Sequence, residues 1–351
     1  MFSLTRRRFL GQSSAAALAA AGFSRGGGAA EGPPAVSFFV VGDTHFLADE
    51  AEPSRLFEAS AGVTARLVDT LNRLPGSAIP ESAGGGSVPV PQGVLHAGDL
   101  VDSGDKNGAK YETMQRCEWA GYTAAFGLSG TEGRLRFPVM EVAGNHDSPG
   151  GRGYIIEQLA ARQRSRKNLK AISGNGLHYS WEWGGVHFVA LGLIVGTEKS
   201  CDRARRYAAL DSLDFLREDL AAHAAPEQAL VVLHHVDVAR YTAEKAGVDY
   251  THWEWDPADV KSFYAALRGR RAATFHGHTH ARRVMRWNGD SVEGSEGIPV
   301  FNVDNGSHYG SPAQAFFQVE IRAGELLVRE YATADGWQSG NWTPQVWRAA
   351  L

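Results

Sequence analysis

The sequence holds only two cysteines in 351 residues, Cys117 and Cys201. A framework of crosslinks is therefore excluded as the source of its stability. At 43% hydrophobic and 21% charged residues, it has the profile of a soluble globular protein able to bury a sizeable core without disulfides. The two cysteines are either one bridge, if the protein matures in an oxidising compartment, or two buried thiols. Apolar runs are short as well: the Ala-rich run from Ser14 to Phe23 is too brief to span a bilayer. Basic excess is also missing. The formal charge is −4, so composition gives no sign of affinity for nucleic acid or a membrane surface. Leaving out the first thirty residues removes Arg6, Arg7, Arg8 and Arg25 and no acid, so 31 basic residues face 39 acidic ones, a net −8. A body this acidic needs local positive charge if it is to hold an anion, and metal ions would supply it.

What is present begins at the N-terminus, where Thr5-Arg6-Arg7-Arg8-Phe9-Leu10 precedes the short apolar run. This resembles the twin-arginine export signal, Ser/Thr-Arg-Arg-x-Phe-Leu, at every defined position. The resemblance implies a signal peptide over residues 1–30, cleaved near Ala19-Ala20-Ala21 or Ala29-Ala30, and the export machinery as its partner. The protein is then expected in the periplasm or outside the cell. Because that route carries folded proteins, metals can be loaded before export. The remainder, residues 31–351, reads as one domain, with Pro75–Gly93 as a Pro-, Gly- and Ser-rich surface loop.

Short, β-rich apolar runs recur along this remainder, and each ends in a polar cluster. Ala35–Val41 leads into Gly42-Asp43-Thr44-His45, Gly93–Leu95 into His96-Ala97-Gly98-Asp99, and Phe137–Val142 into Gly144-Asn145-His146-Asp147. Ala229–Leu233 leads into His234-His235, and Ala272–Phe275 into His276-Gly277-His278-Thr279-His280. Runs this short and continuous predict strands covered on both faces. Leu56, Val63, Leu67, Leu71 and Leu74 mark a helix between the first two. Strand–helix–strand alternation predicts an α/β fold with largely parallel pairing. Two hairpins break the alternation: Leu177–Trp183 with Val186–Leu191 around Gly184-Gly185, and Ala315–Ile321 with Leu326–Tyr331 around Gly324. Both are assigned to a second sheet, giving two packed mixed sheets with helices outside.

In open α/β sheets ligands gather at the carboxyl ends of strands. Five such ends here carry carboxylate, amide and imidazole groups, a donor set suited to zinc, manganese, iron or cobalt rather than calcium. Asp43 and His45, two residues apart on an extended segment, would project to one side and chelate one ion, and His278 and His280 would repeat this. His96 and His276, before two of the clusters, read as core or supporting histidines.

The series Asp-x-His, Gly-Asp, Gly-Asn-His-Asp, His and Gly-His-x-His, running from Asp43 to His280, resembles the calcineurin-like metallophosphoesterase family. The resemblance implies a four-layer sandwich holding two divalent metal ions. Asp43, His45 and His280 would hold the first and Asn145, His234 and His278 the second, with Asp99 bridging; His235 competes with His234 for its place. It implies hydrolysis of a phosphate mono- or diester by in-line attack of a hydroxide shared by the ions, on a small or lipid-like substrate. His146 would assist the leaving group, and Asp102, in Gly-Asp-x-Val-Asp, would hydrogen-bond His146. The serine/threonine phosphatase branch has an arginine where this chain has Ser103, which argues against phosphoproteins as substrates. Residues 100–110 hold no tyrosine of the purple acid phosphatase kind. Asp147 either braces the site or closes its turn. His252, Trp253 and Trp255, in an aromatic segment after His234, and Asn305, with Ser307 and His308 nearby, are the candidate substrate contacts. An extracellular nuclease and a non-catalytic scaffold like the retromer subunit are the competing readings. A scaffold should lack ligands or the acid histidine, and this chain has both.

Overall fold

Six consecutive apolar or small residues, Val36–Val41, form strand β1, and all are buried. Alternation splits them between two cores: Val36, Phe38 and Val40 enter one, Phe39 and Val41 another, because successive strand side chains point to opposite faces. β1 thus has no solvent side. The computed structural model describes residues 35–197, 207–239 and 254–351.

β2 (Gly93–His96) and β3 (Val139–Glu141) run parallel beside β1. Helices α1 (Glu58–Arg73), α2 (Ala109–Ala125) and α3 (Tyr154–Arg164) cover this sheet; the expected positions Val63, Leu67 and Leu71 are the buried stripe of α1. A second sheet follows the order β4 (Leu169–Ile172), β5 (Tyr179–Trp183), β6 (Val186–Ala190), β7 (Leu230–Leu233), β8 (Ala272–His276), β10 (Ile298–Asn302) and β9 (Arg283–Trp287). Its central strands β6, β7, β8 and β10 are parallel. Helices α4 (Ser212–His223) and α5 (Pro257–Leu267) cover its outer face.

The strands β11 (Gln314–Arg322), β12 (Glu325–Thr333) and β13 (Asn341–Ala350) complete the first sheet. Both expected hairpins form, but they part company. β5–β6 belongs to the second sheet, whereas β11 pairs antiparallel with β1 and carries β12 into the first. The edge of β1 away from β2 would otherwise leave a row of buried backbone groups unpaired. Phe38, Phe188, Phe275, Phe301 and Phe317 meet in the core between the sheets, so the layers run helix, sheet, sheet, helix. Among the described residues no helix is long and apolar enough to cross a membrane. Cys117 sits half-buried on α2, and Cys201 lies outside the described residues.

The consequence for function is positional. β1, β2 and β3 of one sheet and β7 and β8 of the other point the same clusters of Asp, Asn and His at one rim, where the two sheets meet.

Candidate metal centre

Five residues at this rim, Asp43, His45, Asp99, His278 and His280, have left-handed backbone, with φ between 44° and 76°. Non-glycine residues rarely adopt it, and such strain gathers at functional sites. The extended Asp-x-His and His-x-His geometry expected from spacing is therefore corrected: tight turns, not strand alternation, aim these side chains inward. The turns lock to one another through Asp43 N–H to Gly98 O (2.9 Å), His45 N–H to Asp99 O (3.0 Å) and Gly277 N–H to His235 O (3.2 Å). Gly144 and Gly277 are required by close approach, since a Cβ on either would collide with the carboxylate of Asp99 or Asp43.

Among the described residues three donor groups result, each with its atoms within 4.8 Å of one another: Asp43, His45, Asp99 and His280; Asp99, His235 and His278; and His45, Asp102 and His308 on the outer side of His45. Asp99 is common to the first two, with Oδ2 at 3.5 Å from His45 Nε2 and 3.4 Å from His235 Nε2. Asn145 joins the second group, its Oδ1 at 3.0 Å from His235 Nε2 and 2.8 Å from His278 Nδ1. His45 Nε2 and His280 Nε2 converge to 3.1 Å.

The chemistry of this donor set fits two divalent cations. His235 Nδ1–H donates to Ala97 O at 2.7 Å, which turns Nε2 toward Asp99 and Asn145, where the neutral ring can offer its lone pair to a cation. Asp102 Oδ1 sits 3.2 Å from His45 Nδ1 and fixes that ring in the same way. Outer partners of this kind orient metal-binding imidazoles. Without a cation, carboxylates and imidazoles compensate each other. Burial opposes the charge on Asp99, yet His235, His45 and His146 outweigh it and hold Asp99 well below the usual carboxylate range. Asp43 is likewise lowered, against burial, by His280. His235, despite its burial, is pushed up to about 9 by Asp99 and Asp43.

With the geometry in place, the sequence profile of the calcineurin-like phosphoesterases matches residues 36–282. The chain belongs to this family. Among solved structures, a dimetal phosphatase from Danio rerio shares the fold, with 13% identity, a TM-score of 0.53, and coverage of 88% of this chain and 99% of that one. Vps29 from Entamoeba histolytica, solved with zinc, is similar at 13% identity and a TM-score of 0.30, covering 90% of this chain and 99% of its own. Vps29 from Cryptosporidium parvum gives 12% and 0.31, with coverage of 90% and 98%. No curated protein matches the sequence.

Within this calcineurin-like chain, several expectations change. His234 does not join the cluster. It is fully buried, stacks on His276 at 5.1 Å, and is walled by Trp255 and Phe263, and among the described residues neither ring nitrogen has a hydrogen-bond partner of good geometry. His235 stands in its place. The signal was strand parity: Val231 and Leu233 of β7 face the other sheet, Leu230 and Val232 face the helices, so 235 continues toward the rim. Trp255, only 1% exposed, is core rather than a substrate contact. Asn305, equally buried, donates from Nδ2 to Asp304 Oδ1 and Ala313 O within its own loop, so it too is withdrawn as a contact. His252 and Trp253 lie outside the described residues.

Asp102 gives His146 its backbone oxygen, 3.2 Å from Nδ1, while its carboxylate serves His45 and Lys106 and stays 3.8 Å from His146. Ser103 is buried, its N–H donating to Glu118. Asp147 is a brace, accepting N–H from Leu100, Val101 and Gly144. Glu118 is a brace that sequence reasoning missed: from α2 it accepts Ala48 N–H and Ser103 N–H, tying the β1 and β2 loops together. A glutamate mid-helix gives no such signal in sequence.

Proposed function

We propose that this family member is an exported phosphoric ester hydrolase that uses two divalent cations, manganese, iron or zinc, to cleave a mono- or diester of a small or lipid-like alcohol. The observation that carries it is the shared reach of Asp99 to two donor groups, one around His45 and His280 and one around His235 and His278. When bound, paired cations of this kind supply a hydroxide nucleophile near neutral pH and positive charge against that developing on phosphoryl oxygens. His146 belongs to none of the three groups. Its backbone N–H binds Asp99 Oδ1 at 2.8 Å, and Nδ1–H donates to Asp102 O, which leaves Nε2–H for the leaving oxygen. In the metal-free protein burial works against its charge, but Asp99 and Asp102 raise its pKa. Residues 1–30 serve as the twin-arginine signal and residues 31–351 as the catalytic domain.

The test uses metal-loaded protein with mono- and bis-p-nitrophenyl phosphate and matching alkyl esters. Asp99→Asn should abolish turnover. His146→Ala should lower it by about 10²–10⁴ on alkyl esters, whose alkoxide must be protonated, and far less on p-nitrophenyl esters. Undiminished activity of Asp99→Asn would sink the proposal.

A further inference from the structure

Among the described residues, an exposed aromatic surface adjoins the centre. The loop after β10 is pinned at several points: Gly306 N–H donates to Gly42 O (2.7 Å), Trp337 Nε1–H to Gly306 O (2.6 Å), and Gln314 Nε2–H to His308 O (3.0 Å). Ser307 Oγ lies 2.9 Å from Thr64 Oγ1 and donates to Thr44 O. This fixes the His308 ring 4.9 Å from His45 and 5.1 Å from His280. Tyr309 stacks on His308 at 5.3 Å and 23°, and Phe57 meets the tyrosine edge-on at 5.2 Å. Tyr309 is nonetheless 40% exposed. Among the described residues the other exposed large hydrophobics are Val90 and Ile172, on a surface loop and at the end of β4. A single exposed hydrophobic needs no explanation. An exposed aromatic ring stacked on a histidine that itself lies against two candidate metal ligands, on a loop held this firmly, has one.

We infer that Phe57, His308 and Tyr309 form a platform for a flat aromatic ring on the alcohol side of the ester, a nucleoside base or an aryl group. This rests on the phosphoester reading and narrows its substrate class. Two ring-to-ring steps, 4.9 Å and then 5.3 Å, separate His45 from Tyr309. A sugar or short linker bridges that gap between phosphorus and ring. Stacking on a protein aromatic is sequence-tolerant and strengthens binding by roughly five- to 150-fold per base.

The experiment compares kcat/KM within pairs that share a primary-alkoxide leaving group: AMP against ribose 5-phosphate, and 2-phenylethyl against 2-cyclohexylethyl phosphate, with their methyl diesters alongside. Metal-loaded wild type should favour the ring-bearing member by about tenfold or more. Tyr309→Leu, which keeps bulk without a flat face, should collapse that ratio through KM rather than kcat. Calorimetry adds a readout free of turnover: adenosine should bind the wild type at least about tenfold more tightly than Tyr309→Leu. Preference in both pairs supports any flat ring, and preference for AMP alone supports nucleosides. Equal rates within both pairs, or a ratio that survives Tyr309→Leu, overturns the inference while leaving the phosphoesterase reading intact. Hydrolysis of no ester at all removes both.

Discussion

Adjacent histidines 234 and 235 give the sharpest test of the centre, because the structure assigns them opposite fates. His235 faces Asp99 and Asn145, whereas His234 lies in the helix-side core, where neither nitrogen finds a well-placed partner among the described residues. Site free energies of about 10–16 kcal/mol for four-ligand metal sites correspond to about 2.5–4 kcal/mol per ligand. His235→Asn should therefore weaken metal binding by about two to three orders of magnitude. His234→Leu keeps the volume and removes two buried polar atoms, each of which costs about 1–3 kcal/mol when unsatisfied. It should be as stable as the wild type or up to about 3 kcal/mol more so, with metal affinity within about tenfold, the lower end of what an outer-partner loss costs. The assay is competition for Mn²⁺ and Zn²⁺ against a chelating dye, with urea unfolding of the metal-free proteins as the stability control. A hundredfold loss in His234→Leu with none in His235→Asn would refute the placement of both residues and the parity argument behind it.

Two further outcomes concern pH. His235, pushed up to about 9, carries a proton at pH 7 in the metal-free protein, and coordination needs the neutral ring. Metal binding should therefore release protons, with affinity rising about tenfold per pH unit for each proton released between pH 7 and 9; identical calorimetric heats in buffers of different ionisation enthalpy would refute this. Glu118 is raised from 4.5 to about 7, chiefly by burial. The folded state then holds this proton more tightly than the unfolded chain, so the contribution to stability is full below about pH 4.5 and lost as pH climbs through 7. The loss amounts to about 3 kcal/mol, and Glu118→Gln should lack that slope in urea unfolding of metal-free protein at pH 4.5 and 8; parallel slopes would count against it.

The residue types of the centre were legible because strand ends are where a covered sheet can present polar groups. A buried run such as Val36–Val41 ending in Asp43 and His45 announces both a strand and a site at its end. Geometry was less legible. Spacing of two residues suggested extended chelation, but the backbone turns left-handed at Asp43, His45, His278 and His280, a choice dictated by contacts from distant loops. Aromatic residues at the ligand face were over-read: Trp255 serves the core of α5, which a window of sequence cannot distinguish from a pocket wall. The placement of Asp102 turned on whether its backbone or side-chain oxygen meets His146, an atom-level question that no motif encodes.

The strain explains why the centre is built into the fold rather than assembled by its ions. Left-handed backbone at a non-glycine residue costs of order 1 kcal/mol or more, and Asp99, which carries the shared carboxylate, and the four residues around it, Asp43, His45, His278 and His280, all adopt it. That cost is carried by the strands behind them: β1, β2, β7 and β8 are buried throughout, and their loops exchange backbone hydrogen bonds across both sheets. His278 N–H, for instance, reaches across to Asp43 Oδ1 at 3.0 Å and orients a carboxylate on the opposite sheet. Donors fixed in this way do not have to be ordered when a cation arrives, so its binding free energy is not spent on arranging the loops. The same rigidity makes the two sheets one functional unit, because neither contributes a complete donor group without the other.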